Sequence, residues 1–145
     1  MFLKLKDEIY KAHKGPTLTL DLYSNPVSAG FPSPAEDHLD SSLDLNEYLI
    51  KHPSATFYIY AKGHSMNDVG IYDGDVMIVD RALEAKSKDI IIAVINGEFT
   101  VKRIYIKNNS IYLIPENKTF KSILVEDDMD FQIWGVVTHT IHSFK

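Results

Sequence analysis

Between residues 55 and 141 the chain is built from short runs of β-branched and aromatic residues, cut apart by residues that favour tight turns. The runs are ATFYIYA (55–61), VMIVD (76–80), DIIIAVI (89–95), EFTVKRIYI (98–106), SIYLI (110–114) and FQIWGVVTHTI (131–141). Such runs fit the pleated, half-buried surface of a sheet. Asn96-Gly97 separates two of them by two residues, the strongest short-range hairpin signal a sequence carries. Asp73-Gly74 and Asn108-Asn109 mark further turns. One short helix is expected over Leu43–Pro53, where Asp44 stands as cap, Glu47 follows at capping-box spacing and Pro53 ends the segment. The fold class is therefore mainly β: a small barrel or sandwich-like domain with one minor helix.

The N-terminal portion reads differently. Residues 1–13 are predicted as a short amphipathic helix carrying Leu5, Ile9 and Ala12 on one side, stopped at Gly15-Pro16. Leu18–Tyr23 alternates weakly and is expected as an isolated strand. Ser24–Pro34 holds three prolines and one glycine and reads as an exposed, extended connector. Twenty-nine residues are too few to bury a core, so residues 1–29 are expected to be an arm and residues 30–145 the domain. No helix-turn-helix fits within the arm.

Charge separates the same two parts. Residues 1–29 carry four lysines against three acids, while the remainder carries eleven basic and seventeen acidic residues. An acidic domain repels phosphate backbones, so direct sequence-specific DNA binding is not expected. The chain has no cysteine, which excludes disulfides, thiolate zinc sites and a thiol nucleophile. No apolar run approaches the roughly 20 residues that cross a bilayer, and the first residues lack the core of a secretory signal. A soluble, cytoplasmic protein without a membrane partner is expected.

Ser65, in the stretch AKGHSMNDVG, is the first candidate for chemistry. A serine hydroxyl needs a base before it becomes a nucleophile. None of the six histidines (13, 38, 52, 64, 139 and 142) is singled out: His64 is adjacent to Ser65, and neighbours in an extended segment point opposite ways. Lys102 is the other candidate base, since it shares a strand face with Thr100, Ile104 and Ile106. If that face turns inward, burial disfavours the ammonium and lowers its pKa. The plainer alternative is a rim lysine and an ordinary loop serine, and on this pattern alone it has the advantage.

Longer stretches change that balance. AGFPSPAEDHLDSSLDLN, HPSATFYIYAKGHSMNDVGIYDGDVMIVD and INGEFTVKR, together with LIPEN (113–117) and WGVV (134–137), resemble the LexA/UmuD family of Ser-Lys self-cleaving peptidases from about residue 29 onward. The resemblance implies Ser65 as nucleophile, Lys102 as general base, Ala29-Gly30 as the bond cut, and the backbone amides of His64 and Ser65 as oxyanion donors. It implies no cofactor. It also implies a homodimer, stimulation by a RecA filament on single-stranded DNA, and a shortened form that joins a UmuC-like Y-family polymerase in the SOS response. Ala29 stands where the best-known UmuD-type member has cysteine, and the DNA-binding domain of the repressors is missing. Two alternative readings are a non-catalytic subunit docking to the polymerase or to RecA, and a signal peptidase, which would need a membrane anchor. TLDLY (Thr19–Tyr23) resembles the peptide by which polymerases grip the sliding clamp. A short strand packing the arm is the favoured reading of it, because so short a motif recurs by chance.

Overall fold

The computed structural model describes residues 9–11, 15, 17–23, 29–31 and 39–145. The chain divides into two compact units, Met1–Ala12 with His52–Lys145, and His13–Lys51. The strands are β1 (Ile9–Lys11), β2 (Leu20–Tyr23), β3 (Leu39–Leu43), β4 (Thr56–Tyr60), β5 (Val76–Asp80), β6 (Ile90–Ile95), β7 (Glu98–Lys107), β8 (Ser110–Ile114), β9 (Ile123–Leu124) and β10 (Phe131–Ile141), with one α-helix, α1 (Leu45–Leu49). Among the described residues no helix is long and apolar enough to cross a membrane.

In the larger unit eight strands form one sheet in the order β1-β4-β5-β10-β6-β7-β8-β9, every pair antiparallel. All six predicted strands are present. Among the described residues the sheet has two ends, at β1 and β9, and does not close into a barrel. Turn chemistry fixes its central registers. Asn96 and Gly97 both take positive φ, 50° and 83°, as a type I′ turn requires, so Ile95 pairs with Glu98. Asn108 and Asn109 do the same at 51° and 63°, pairing Lys107 with Ser110.

Both faces of this sheet are buried. Ile92, Met77, Val79, Ile59 and Met66 pack on one face, and Ile91, Ala93, Ile104, Leu113 and Val136 on the other. Burial on both sides is why DIIIAVI reads as a continuous apolar run rather than an alternating one. Strand β10 bridges β5 and β6, and its register shifts between Ile133 and Gly135 on one side and between Val137 and His139 on the other. Such irregularities bend a strand and increase its twist.

The N-terminal expectations are corrected in part. Ile9–Lys11 is a strand paired with β4, Tyr10 opposite Tyr58, not part of a helix. The open edge of β4 offers three residues a ladder that an isolated turn of helix lacks, and tertiary pairing overrides a weak helical pattern. The rest of the predicted helix lies outside the described residues, apart from the exposed Gly15 near its stop. In the smaller unit β2 pairs with β3, Leu20 opposite Leu43, so the Leu18–Tyr23 strand is not isolated. Helix α1 is shorter than expected. Its cap is as read: the Asp44 carboxylate accepts from Asn46 N and Glu47 N at 3.0 and 3.4 Å, and its second oxygen accepts from Leu18 N at 3.3 Å. Of the connector, Ala29, Gly30 and Phe31 are described, and all three are exposed.

Strand β10 approaches β5 closely at Gly135. A Cβ there would lie 2.6 Å from Val79 Cγ1 and 3.2 Å from Arg81 Cγ, and Val79 is fully buried. A buried β-branched side chain has no rotamer to yield. Gly135→Ala is expected to cost about 1–3 kcal/mol of stability, read as a lower urea midpoint at unchanged slope. An unchanged midpoint would contradict this packing.

Candidate active site

The residues that carry chemistry are positioned by a loop and a strand of the larger unit. The loop leaves β4 at Tyr60 and is braced from two sides. On one side Ala61 N donates to Asp75 O at 2.8 Å, Gly74 N donates to Ala61 O at 2.8 Å, and Gly63 N donates to the Asp73 carboxylate at 2.7 Å. Gly63 takes φ 89°, a conformation in which a side chain is strained. Met66, next to Ser65, is 2% exposed and plugs the core beside Ile59, Met77 and Ile92. On the other side, Asp68 N donates to Glu116 O at 2.8 Å and Asn117 Nδ2 donates to His64 O at 2.7 Å. Ser65 is therefore half-buried on a loop anchored before and after it.

Strand β7 carries the lysine. Its pairing places Lys102 opposite Ile91 of β6 and sends Thr100, two residues earlier, to the same face. The Lys102 Nζ lies 2.7 Å from Thr100 Oγ1, 3.0 Å from Val101 O and 3.2 Å from Ser65 Oγ. Burial pushes the Lys102 amine below its ordinary value of 10.5. Among the described residues no carboxylate is paired with it to oppose that shift. The three contacts suit either protonation state. An ammonium donates to all three. A neutral amine donates to Thr100 and Val101 and turns its lone pair to the Ser65 hydroxyl proton.

Arg103, the next residue, points to the other face and pairs with Glu116. One strand thus places the amine beside Ser65 with one residue and, with the following one, holds the segment that braces the Ser65 loop. The Ser65–Lys102 contact opens into a pocket of about 290 Å³ whose apolar lining includes Ile59, Met77, Ile92, Phe99 and Val101. Strand β8 pairs with β7 only from Arg103 onward. Among the described residues, Glu98–Lys102 has a strand neighbour on one side alone.

The sequence candidates fall as follows. Ser65 and Lys102 are brought together. His64 is exposed, and its backbone carbonyl, not its ring, is what the neighbouring segment engages. His52 pairs with Asp80, His142 with Asp75, and His139 bonds Thr138, so these three rings have partners other than Ser65. His13 and His38 lie outside the described residues. Ala29 and Gly30 belong to the smaller unit and are exposed. Sequence reading placed Thr100 on the face of Lys102 without giving it a part. It missed Asp73 and Asn117, although both sit in stretches that carried the family resemblance.

The Peptidase S24-like family pattern matches residues 21–138. Protein MucA of Salmonella typhimurium is 44% identical over 124 residues, covering 85% of this chain and 84% of that protein. Protein SamA of Salmonella typhimurium strain LT2 is 45% identical over 127 residues, 88% of each chain. Protein ImpA of Shigella flexneri is 43% identical over 125 residues, covering 86% of this chain and 84% of that protein. With its mainly β fold and a match across most of its length, the chain belongs to the Peptidase S24-like family, as a UmuD-like member of the LexA/UmuD group.

Proposed function

We propose that this chain is a serine peptidase that cuts its own Ala29-Gly30 bond, with Ser65 as nucleophile and Lys102 as general base. The observation that carries the reading is the Lys102 Nζ held 3.2 Å from the Ser65 hydroxyl, in a pocket that disfavours its charge. Neutral Lys102 takes the Ser65 proton as Oγ attacks the Ala29 carbonyl carbon. The N–H groups of His64 and Ser65 hold the resulting oxyanion. The Lys102 ammonium then gives its proton to the Gly30 nitrogen as the C–N bond breaks, leaving an Ala29 ester on Ser65. Water, deprotonated by Lys102, attacks that ester; the proton returns to Ser65 and the Ala29 carboxylate leaves.

The products are residues 1–29 and 30–145, so the covalent boundary falls inside the smaller compact unit. The substrate segment suits the site. Ala29 is small, Gly30 bends freely, and Pro26 and Pro32 limit the conformations the segment loses on docking. Regulation follows from population: if the docked pose is rare, cutting is slow, and a partner that favours the pose speeds it by the same factor. A RecA filament on single-stranded DNA is that partner in our reading, and the homodimeric processed form serves a UmuC-like Y-family polymerase in lesion bypass. Delegating nucleic-acid contact to partners accords with the acidic charge of residues 30–145.

The purified chain, incubated between pH 7 and 10, is expected to yield fragments ending at Ala29 and starting at Gly30 by mass spectrometry. The rate should rise with pH as Lys102 loses its proton. Ser65→Ala and Lys102→Ala should stay intact at every pH. Intact wild-type mass, or a cut Ser65→Ala chain, would refute the reading, the former favouring a docking subunit. The same amine has a signature in stability. Its folded pKa lies below 10.5, so between the two values the unfolded chain binds more protons and stability from this group rises with pH. Measured on uncut chains carrying Ser65→Ala, the stability gap to Ser65→Ala/Lys102→Met should move in favour of the lysine form from pH 7 toward about 10.5. A gap independent of pH would contradict a desolvated Lys102.

A further inference from the structure

We infer that Asn117 is a positioning residue for the oxyanion-binding peptide, acting through the carbonyl of His64. The inference rests on the peptidase reading above. Oxygen His64 O and nitrogen Ser65 N belong to one peptide unit, planar and conjugated. The Asn117 Nδ2 donates to that oxygen at 2.7 Å. The orientation of the Asn117 amide is settled by its other end, where Oδ1 accepts from Thr119 N at 3.0 Å and Thr119 Oγ1 at 2.8 Å. Two donors on the oxygen leave the NH₂ facing His64.

Two consequences follow. The bond fixes the plane of the peptide, and with it the direction in which Ser65 N–H points. It also draws electron density toward the carbonyl oxygen, which makes the N–H at the other end a stronger donor, since hydrogen bonds in series polarise one another. Among the described residues the Ser65 N–H has no acceptor of its own, so it is available to a ligand oxygen. Asn117 is itself held. Glu116, its neighbour, pairs with Arg103, accepts from Asp68 N at 2.8 Å and directs its own N–H to Met66 Sδ at 3.5 Å. Pro115, before it, is buried. The segment after β8 therefore grips the Ser65 loop at residues 64, 66 and 68, and only the contact at residue 64 reaches a group that touches the substrate.

The test compares full-length wild type with Asn117→Ala and Asn117→Asp. The alanine variant should lower the high-pH cleavage rate about five- to tenfold, the worth of one hydrogen bond, without moving the pH at which the rate is half-maximal. The aspartate variant, ionised throughout that range, sets an acceptor against an acceptor and should lose more. In both, the Ser65 amide ¹⁵N resonance at neutral pH should shift, while amide dispersion elsewhere reports an intact fold. A moved half-maximal pH would mean that Asn117 acts through Lys102 and would overturn the assignment. So would alanine and aspartate variants that cut as fast as wild type. A wild-type chain that never cuts refutes instead the peptidase reading, and the assignment with it.

Discussion

An amine kept partly out of water, with no carboxylate paired to it among the described residues, is the constraint on which this molecule turns. Lysine ammonium groups are strongly hydrated point charges, and burying one without a counter-ion is unfavourable. Here the carbonyl of Val101 and the hydroxyls of Thr100 and Ser65 take the place of a counter-ion. They satisfy hydrogen bonds but supply no opposite charge. The balance therefore moves toward the neutral form, the state in which a lysine can accept a proton.

The rest of the larger unit holds that arrangement in place. A one-residue slip between β6 and β7 would turn Lys102 to the other face and Arg103 toward the pocket. The Asn96-Gly97 turn fixes the register and rules this out. The Ser65 loop cannot drift, because its carbonyls and amides are tied to Asp73, Asp75 and Asn117 before the serine and to Glu116 after it. Met66 seats the loop in the core. Two fixed side chains on two fixed segments make a short contact possible without the ionic attraction that would bring them together unaided.

Much of this was legible in the sequence, for physical reasons that can be named. Runs of β-branched and aromatic residues and Asn-Gly or Asn-Asn pairs are local signals, so the strands from β4 to β8 and β10 and their central turns could be read directly. The Asp44 cap is local too. What escaped were elements made by their partners. Ile9–Lys11 forms a strand because β4 has an open edge. Leu39–Leu43, with Asp40, Ser41 and Ser42 at its centre, has little strand preference and pairs because β2 lies alongside. Strand β9 is two residues long and exists only as a ladder to β8. At the site, the shared face of Thr100 and Lys102 was visible, but the approach of Ser65 across 37 positions was not. The family resemblance, not periodicity, joined the two. Asn117 was hidden for the same reason: its partner is a backbone oxygen 53 residues away.

The proposed chemistry depends on the ionisation of a single nitrogen. With lysine side chains ¹³C-labelled at Cε, the Lys102 signal can be followed by NMR from pH 6 to 12 and assigned by its loss in Lys102→Met. A desolvated Lys102 should show a midpoint clearly below 10.5, lower than those of the exposed lysines in the same spectrum. A Lys102 midpoint at or above theirs would contradict it.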